Sequence, residues 1–204
     1  MKKSTETEKK ILAAAAEIFL EKGRDGARMH EIAQKAGINK ALLHYYYRSK
    51  ENLHGEVFKN EIRNFFEGLF LSIPETDDPR ELLENFVSNY VDRLAQNPGL
   101  IRFIMWEIQE GGELLANTLS ITFQEFGHTQ LPLVSNFQQA ITEGKIRAVD
   151  PLQLTISIIG MSVYPFIAQP ILEKILPGLR IRSAAFLTKR KREIVDLLWQ
   201  GIQK

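Results

Sequence analysis

Apolar residues return at every third or fourth position along almost the whole chain, as at Ile11, Ala15, Ile18 and Phe19 or at Phe86, Tyr90, Val91 and Leu94. No stretch sustains the two-residue alternation of a half-buried strand. A chain patterned in this way buries its apolar surface by packing helices against one another. The breaks fall at residues 23–26, at Gly37, at 72–79, 97–99, 111–112 and 144–151, at Pro170 and at 177–178. Pro79 and Pro98 sit where a helix would begin, each directly after a good N-cap, Asp78 and Asn97. The expectation is an all-α protein of nine or ten helices, and 204 residues are enough to bury a real core.

Residues 151–172 form an uncharged run about as long as a membrane-spanning helix. Its content argues against that use. Gln153, Thr155, Ser157, Ser162 and Gln169 interrupt it, and Pro165 and Pro170 would leave carbonyls unpaired in lipid. A buried helix of a soluble protein fits better, and the small residues Ser157, Gly160 and Ser162 would let a second helix approach closely. The polar stretch 1–10 lacks the apolar core of a secretory signal, and the chain has no Cys, so a cytoplasmic protein without disulfides is expected.

Charge is segregated. The total is +1, but residues 1–55 carry 11 Lys and Arg against 7 Asp and Glu, residues 56–150 carry 7 against 15, and residues 151–204 carry 8 against 3. A basic head on an acidic middle suits a head that meets a polyanion. The head also differs in grain, with short helices joined by short turns. Ala33 is small enough for a crossing helix, Gly37 can take the left-handed conformation that ends a helix, and Ile38 and Leu43 can reach back into a core. This is the wiring of a helix-turn-helix, whose second helix lies in the major groove. That helix would run from Lys40 to Tyr46, capped by Asn39. Lys40, His44, Tyr45, Tyr46, Tyr47, Arg48 and Lys50 supply more phosphate donors than a core corner needs.

These residues resemble the tetracycline-repressor (TetR) family of bacterial regulators. The resemblance covers about 5–58 and rests on Ile11, Ala14, Ala15, Phe19 and Gly23, on Ile32, Ala33, Ala36 and Gly37, and on the run GINKALLHYYYRSKENL beginning at Gly37. It implies a DNA-binding domain over 1–50 and a ligand-binding and dimerisation domain over 51–204. The implied regulator, a repressor, binds a palindromic double-stranded operator as a homodimer and leaves it when a small, largely apolar effector enters the larger domain. Carried over by position, Lys40, Ala41, Leu42 and Tyr45 would meet bases, and Asn39, His44, Tyr46 and Lys50 would meet phosphates, with Tyr47 as a core aromatic. Where the family commonly caps its second helix with Ser or Thr, this chain has Ala27 and Arg28, so Arg28 would contact phosphate without capping. The family also implies a dimer interface through about 151–169 and 186–204.

The larger domain is rich in aromatic residues. Phe66, Phe86, Tyr90, Phe103, Trp106, Phe123, Phe137 and Tyr164 are the candidates for lining an effector cavity, although aromatics at helical spacing also fill ordinary cores. Glu107 and Glu110 could share a helix face, and His128 stands alone. No Cys, His pair or Gly-rich phosphate loop accompanies them, so no enzyme, metal site or cofactor is expected. The basic run 189–192 reads as a solvent-facing turn beside a helix. The alternative function is a helical small-molecule-binding protein with a weakened DNA-binding head, motivated by Ala27, Arg28, Leu42 and His44.

Overall fold

The computed structural model describes residues 6–74, 76–127 and 131–204. Eleven helices form among them: α1 (Glu6–Gly26), α2 (Met29–Lys35), α3 (Lys40–Tyr46), α4 (Lys50–Ser72), α5 (Pro79–Gln96), α6 (Pro98–Gln109), α7 (Glu113–Glu125), α8 (Pro132–Thr142), α9 (Pro151–Ile167), α10 (Gln169–Ile175) and α11 (Ala184–Ile202). No strand forms among the described residues. The count exceeds nine or ten because α7 and α8 are separate helices, a division absent from the breaks read in the sequence; the uncharged run also divides, at the Pro170 break. It bends by 64° between α9 and α10, where Pro170 cannot continue the hydrogen-bond ladder and instead opens a new first turn. No single helix is long and apolar enough to cross a membrane among the described residues.

The chain divides into two compact units, 1–64 with 102–119 and 65–101 with 120–204. The expected boundary at residue 50 therefore falls inside the first unit, and α4, α6 and α7 each pass from one unit to the other. In the first unit Ile11, Ala15, Phe19, Ile32, Leu43, Leu53, Phe58 and Ile62 are buried. In the second, α5 packs against α8, α9 and α11, and Leu83, Val87, Val91, Phe137, Ile158 and Ile194 are buried.

Local chemistry sets most helix ends. Asp78 accepts from the Arg80 amide at 2.8 Å, Asp150 from Leu152 and Gln153, and Ser183 from Phe186. Two ends are closed from a distance. Glu107 is buried, and its Oε1 accepts from the Leu114 amide at 2.9 Å in the first turn of α7. In α9, Pro165 has no N–H to give the Met161 carbonyl four residues back. Arg190 of α11 supplies the donors instead, from Nε at 3.2 Å and Nη2 at 2.7 Å. The basic run 189–192 thus lies within a helix, not a turn, and Lys191 in it pairs with Asp92 at 2.6 Å.

Candidate functional site

The helix-turn-helix is built from α2 and α3, which pack on each other while α2 packs on α1. Gly37 ends α2 at φ +69°, and the amides of Gly37 and Ile38 return to the carbonyls of Gln34 and Ala33 at 3.1 and 3.0 Å. That pair of bonds is a Schellman closure, which only a residue at ease in the left-handed region completes without strain. Asn39 then caps α3, its Oδ1 accepting from the Leu42 amide at 2.8 Å. Leu43 is fully buried and pins the helix, so α3 presents its other faces outward. Seven residues would not hold a helix alone; the cap and the Leu43 anchor do it here.

Asn39, Lys40, Ala41, His44 and Tyr45 are exposed, Tyr45 at 81%, while Leu42 and Tyr46 are half-buried. The rings of Tyr45 and Tyr46 meet edge to face at 5.6 Å. Arg28 occupies the N-cap position of α2 with an extended backbone and no side-chain cap bond, leaving its guanidinium outward. Lys50 is drawn inward instead. Its ammonium donates to the carbonyls of Ala27 at 3.4 Å and Asp25 at 3.5 Å, fastening the start of α4 to the α1–α2 turn. Tyr47 is buried, and that burial, helped by Glu8 and Glu56, pushes its phenol up to about 12. Arg48, directly after α3, is exposed beside a cleft of ≈600 Å³ also lined by Tyr46, Glu51, Asn52 and Lys59. It joins the outward basic groups, in keeping with its place among the donors read in the sequence.

Beneath this face lies an aromatic cluster in the same unit. The buried imidazole of His54 stacks on Phe103 at 4.8 Å and meets Phe19 and Trp106 edge-on at 4.9 and 5.0 Å. Arg24 lies 4.1 Å over the Trp106 ring. Burial, with Arg24 and Lys50 adding to it, lowers His54 from 6.5 to about 4, so the imidazole is neutral. Phe103 and Trp106, two of the eight cavity candidates, therefore pack in the first unit.

The other six belong to the second unit. Phe66 meets Phe123 at 5.5 Å, and Phe86 stacks on Tyr90 at 5.3 Å, with Phe65 bridging to Tyr90 at 5.9 Å and to Phe66 at 5.3 Å. Phe137 is fully buried in the core. Tyr164 points out of the unit, 59% exposed, on a face of α9 that also exposes Leu152, Ile156 and Ile167. Gly160 lies on the same face with nothing near where a Cβ would be. On α11, Leu197 is exposed as well. His128 lies outside the described residues.

Residues 11–57 match the family described as bacterial regulatory proteins, tetR family, and residues 79–198 match the tetracyclin repressor-like, C-terminal domain. The chain belongs to the TetR family. As a TetR-family protein it is a DNA-binding transcriptional regulator. Along 195 residues, 96% of this TetR chain, it is 24% identical to the HTH-type transcriptional regulator RutR of Escherichia coli K12, covering 90% of that protein. The TetR fold is shared with the transcriptional regulator FadR of Bacillus subtilis in complex with stearoyl-CoA, at a TM-score of 0.70 and 20% identity over 96% of this chain and 99% of that one. It is shared too with AibR in complex with isovaleryl coenzyme A and operator DNA, at a TM-score of 0.68 and 21% identity over 94% and 97% of the two chains.

Proposed function

We propose that this regulator is a repressor that binds a palindromic operator as a homodimer, in the cytoplasm, and is released by a small, largely apolar effector. The observation that carries the reading is the exposed surface of α3. A helix held by one cap and one buried leucine leaves Lys40, Ala41, Leu42 and Tyr45 to meet base edges, with Arg28, Asn39, His44, Tyr46 and Arg48 toward phosphate. Lys40 can donate to guanine O6 and N7, and Ala41 and Leu42 can meet thymine methyls. In this reading Lys50 positions the α1–α2 turn first and reaches phosphate second, because its ammonium is already shared with two carbonyls.

Dimerisation is supported by the outer face of α9. Leu152, Ile156, Gly160, Tyr164 and Ile167 recur at three- and four-residue spacing and stay uncovered in a single chain, and Leu197 on α11 is uncovered too. A two-fold mate covering both helices would make a four-helix bundle. The aromatic set Phe65, Phe66, Phe86, Tyr90 and Phe123 supports an apolar effector in the second unit. Acyl-CoA thioesters are the first class to try, since FadR and AibR were solved with one.

Selection of bound DNA from a random pool, repeated with acyl-CoA thioesters present, tests the whole reading. Enrichment of a palindrome that thioesters abolish is the expected result. No enrichment at low salt would leave a small-molecule-binding protein with a weakened head.

A further inference from the structure

In the second unit the half-buried guanidinium of Arg93 is a cation that the packing does not account for. Arg93 of α5 lies across α4 at Gly68, so close that a Cβ at position 68 would overlap its guanidinium. Glycine inside a helix is less stable than alanine, so its presence here answers to the guanidinium that fills the space. The contact, moreover, gives the guanidinium no acceptor, because among the described residues the Arg93 side chain makes no hydrogen bond or ion pair. Other basic side chains of this unit are engaged: Lys191 with Asp92, Arg182 with the carbonyls of Leu94 and Ala95, Arg190 with Met161.

The neighbours of the notch are aromatic. Gly68 follows Phe65 and Phe66 on α4, and Arg93 stands one turn after Tyr90 and two after Phe86 on α5. Those four rings are the connected set described above. A half-buried guanidinium with five unused donors, seated in a glycine notch at the edge of an aromatic cluster, is matched by a planar anion attached to a hydrocarbon.

We propose that the Gly68 notch and Arg93 form the anion anchor of the effector site, so that the effector is an amphiphilic anion whose carboxylate or phosphate pairs with Arg93 while its apolar part packs on Phe65, Phe66, Phe86 and Tyr90. This rests on the ligand-responsive reading above and narrows its chemistry from apolar to apolar with an anionic head.

Calorimetric titration of the full-length protein with dodecanoate, dodecyl phosphate, dodecanoyl-CoA and neutral dodecanol tests it. The anions are expected to bind roughly tenfold to a hundredfold more tightly than dodecanol, and Arg93→Gln to erase that preference while leaving dodecanol affinity unchanged. Arg93→Lys should restore part of it, and Gly68→Ala, which displaces the guanidinium, should reduce it. Dodecanoate and dodecanoyl-CoA separate a free carboxylate from a coenzyme phosphate as the recognised head. Equal binding of dodecanol and the anions, or an anion preference that survives Arg93→Gln, overturns the anchor and leaves the apolar effector reading intact. Absence of binding by all four probes overturns both. Thermal unfolding of each variant, expected within a few degrees of wild type, separates lost recognition from lost folding.

Discussion

Helices α3 and α9 both keep large side chains in solvent, yet what they expose differs. On α3 the exposed groups are Lys40, His44 and Tyr45, each with a donor at its tip, on a helix of seven residues. On α9 they are Leu152, Ile156, Tyr164 and Ile167, apolar but for one phenol, on a helix of seventeen. Donors at the surface cost nothing while water serves them and gain a charge-assisted partner when phosphate arrives. Hydrocarbon at the surface costs about 25 cal/mol for each Å² until something covers it. The difference fits the proposed roles, one face associating reversibly with a polyanion and the other covered by a second copy.

Charging the hydrocarbon face is expected to have the largest effect. Ile156→Lys should place an unpaired ammonium at each copy of the proposed interface, shift sedimentation at micromolar concentration toward monomer, and cut operator affinity more than a hundredfold. A dimer that survives this change would remove α9 from the interface. Acid should act on the other unit. His54 is neutral in the fold and takes up a proton on unfolding, so stability is complete above pH 6.5 and falls as pH drops from there toward about 4, by about 3 kcal/mol in all. Asp25 and Glu51 oppose this by favouring the charged ring, and Arg24 and Lys50 reinforce it. Operator binding should therefore fail in acid before dimerisation does, as read by fluorescence anisotropy beside sedimentation, and His54→Phe should flatten that acid limb.

On α3, Lys40→Ala is expected to cost about 1–3 kcal/mol per half-site and to relax base preference where it contacts, measurable by repeating the random-pool selection. The smallest effect belongs to Arg28→Ala. It should weaken binding to all sequences alike and reduce the salt dependence by about one phosphate per protomer, without shifting thermal stability, because Arg28 caps nothing.

Features legible in the sequence are those decided within a few residues. Asn39 caps α3, Gly37 closes α2, and Pro79 and Pro98 open helices because each outcome depends on backbone torsions and donors in the adjoining turn. Tyr47 could be read as core because the helix-turn-helix repeats one wiring. Features decided by a distant partner were not legible. Glu107 looks like a surface carboxylate until the chain turns at Gly111 and Gly112 and brings the Leu114 amide to it. Periodicity places Phe103 and Tyr164 on apolar faces without saying what each face meets; one packs with His54 beneath the DNA-binding helices, the other looks outward. Arg93 showed nothing in sequence, since its meaning depends on a glycine 25 positions earlier on a different helix.

The bond from Arg190 to the Met161 carbonyl has a mechanical consequence. Sliding α9 along α11 would break both bonds that this half-buried carbonyl accepts and leave it short of a donor, which is destabilising. The two helices are keyed rather than merely packed. A motion that keeps these bonds while this regulator answers its effector carries the pair as a single block, hinged at the block's edges and not along the seam within it.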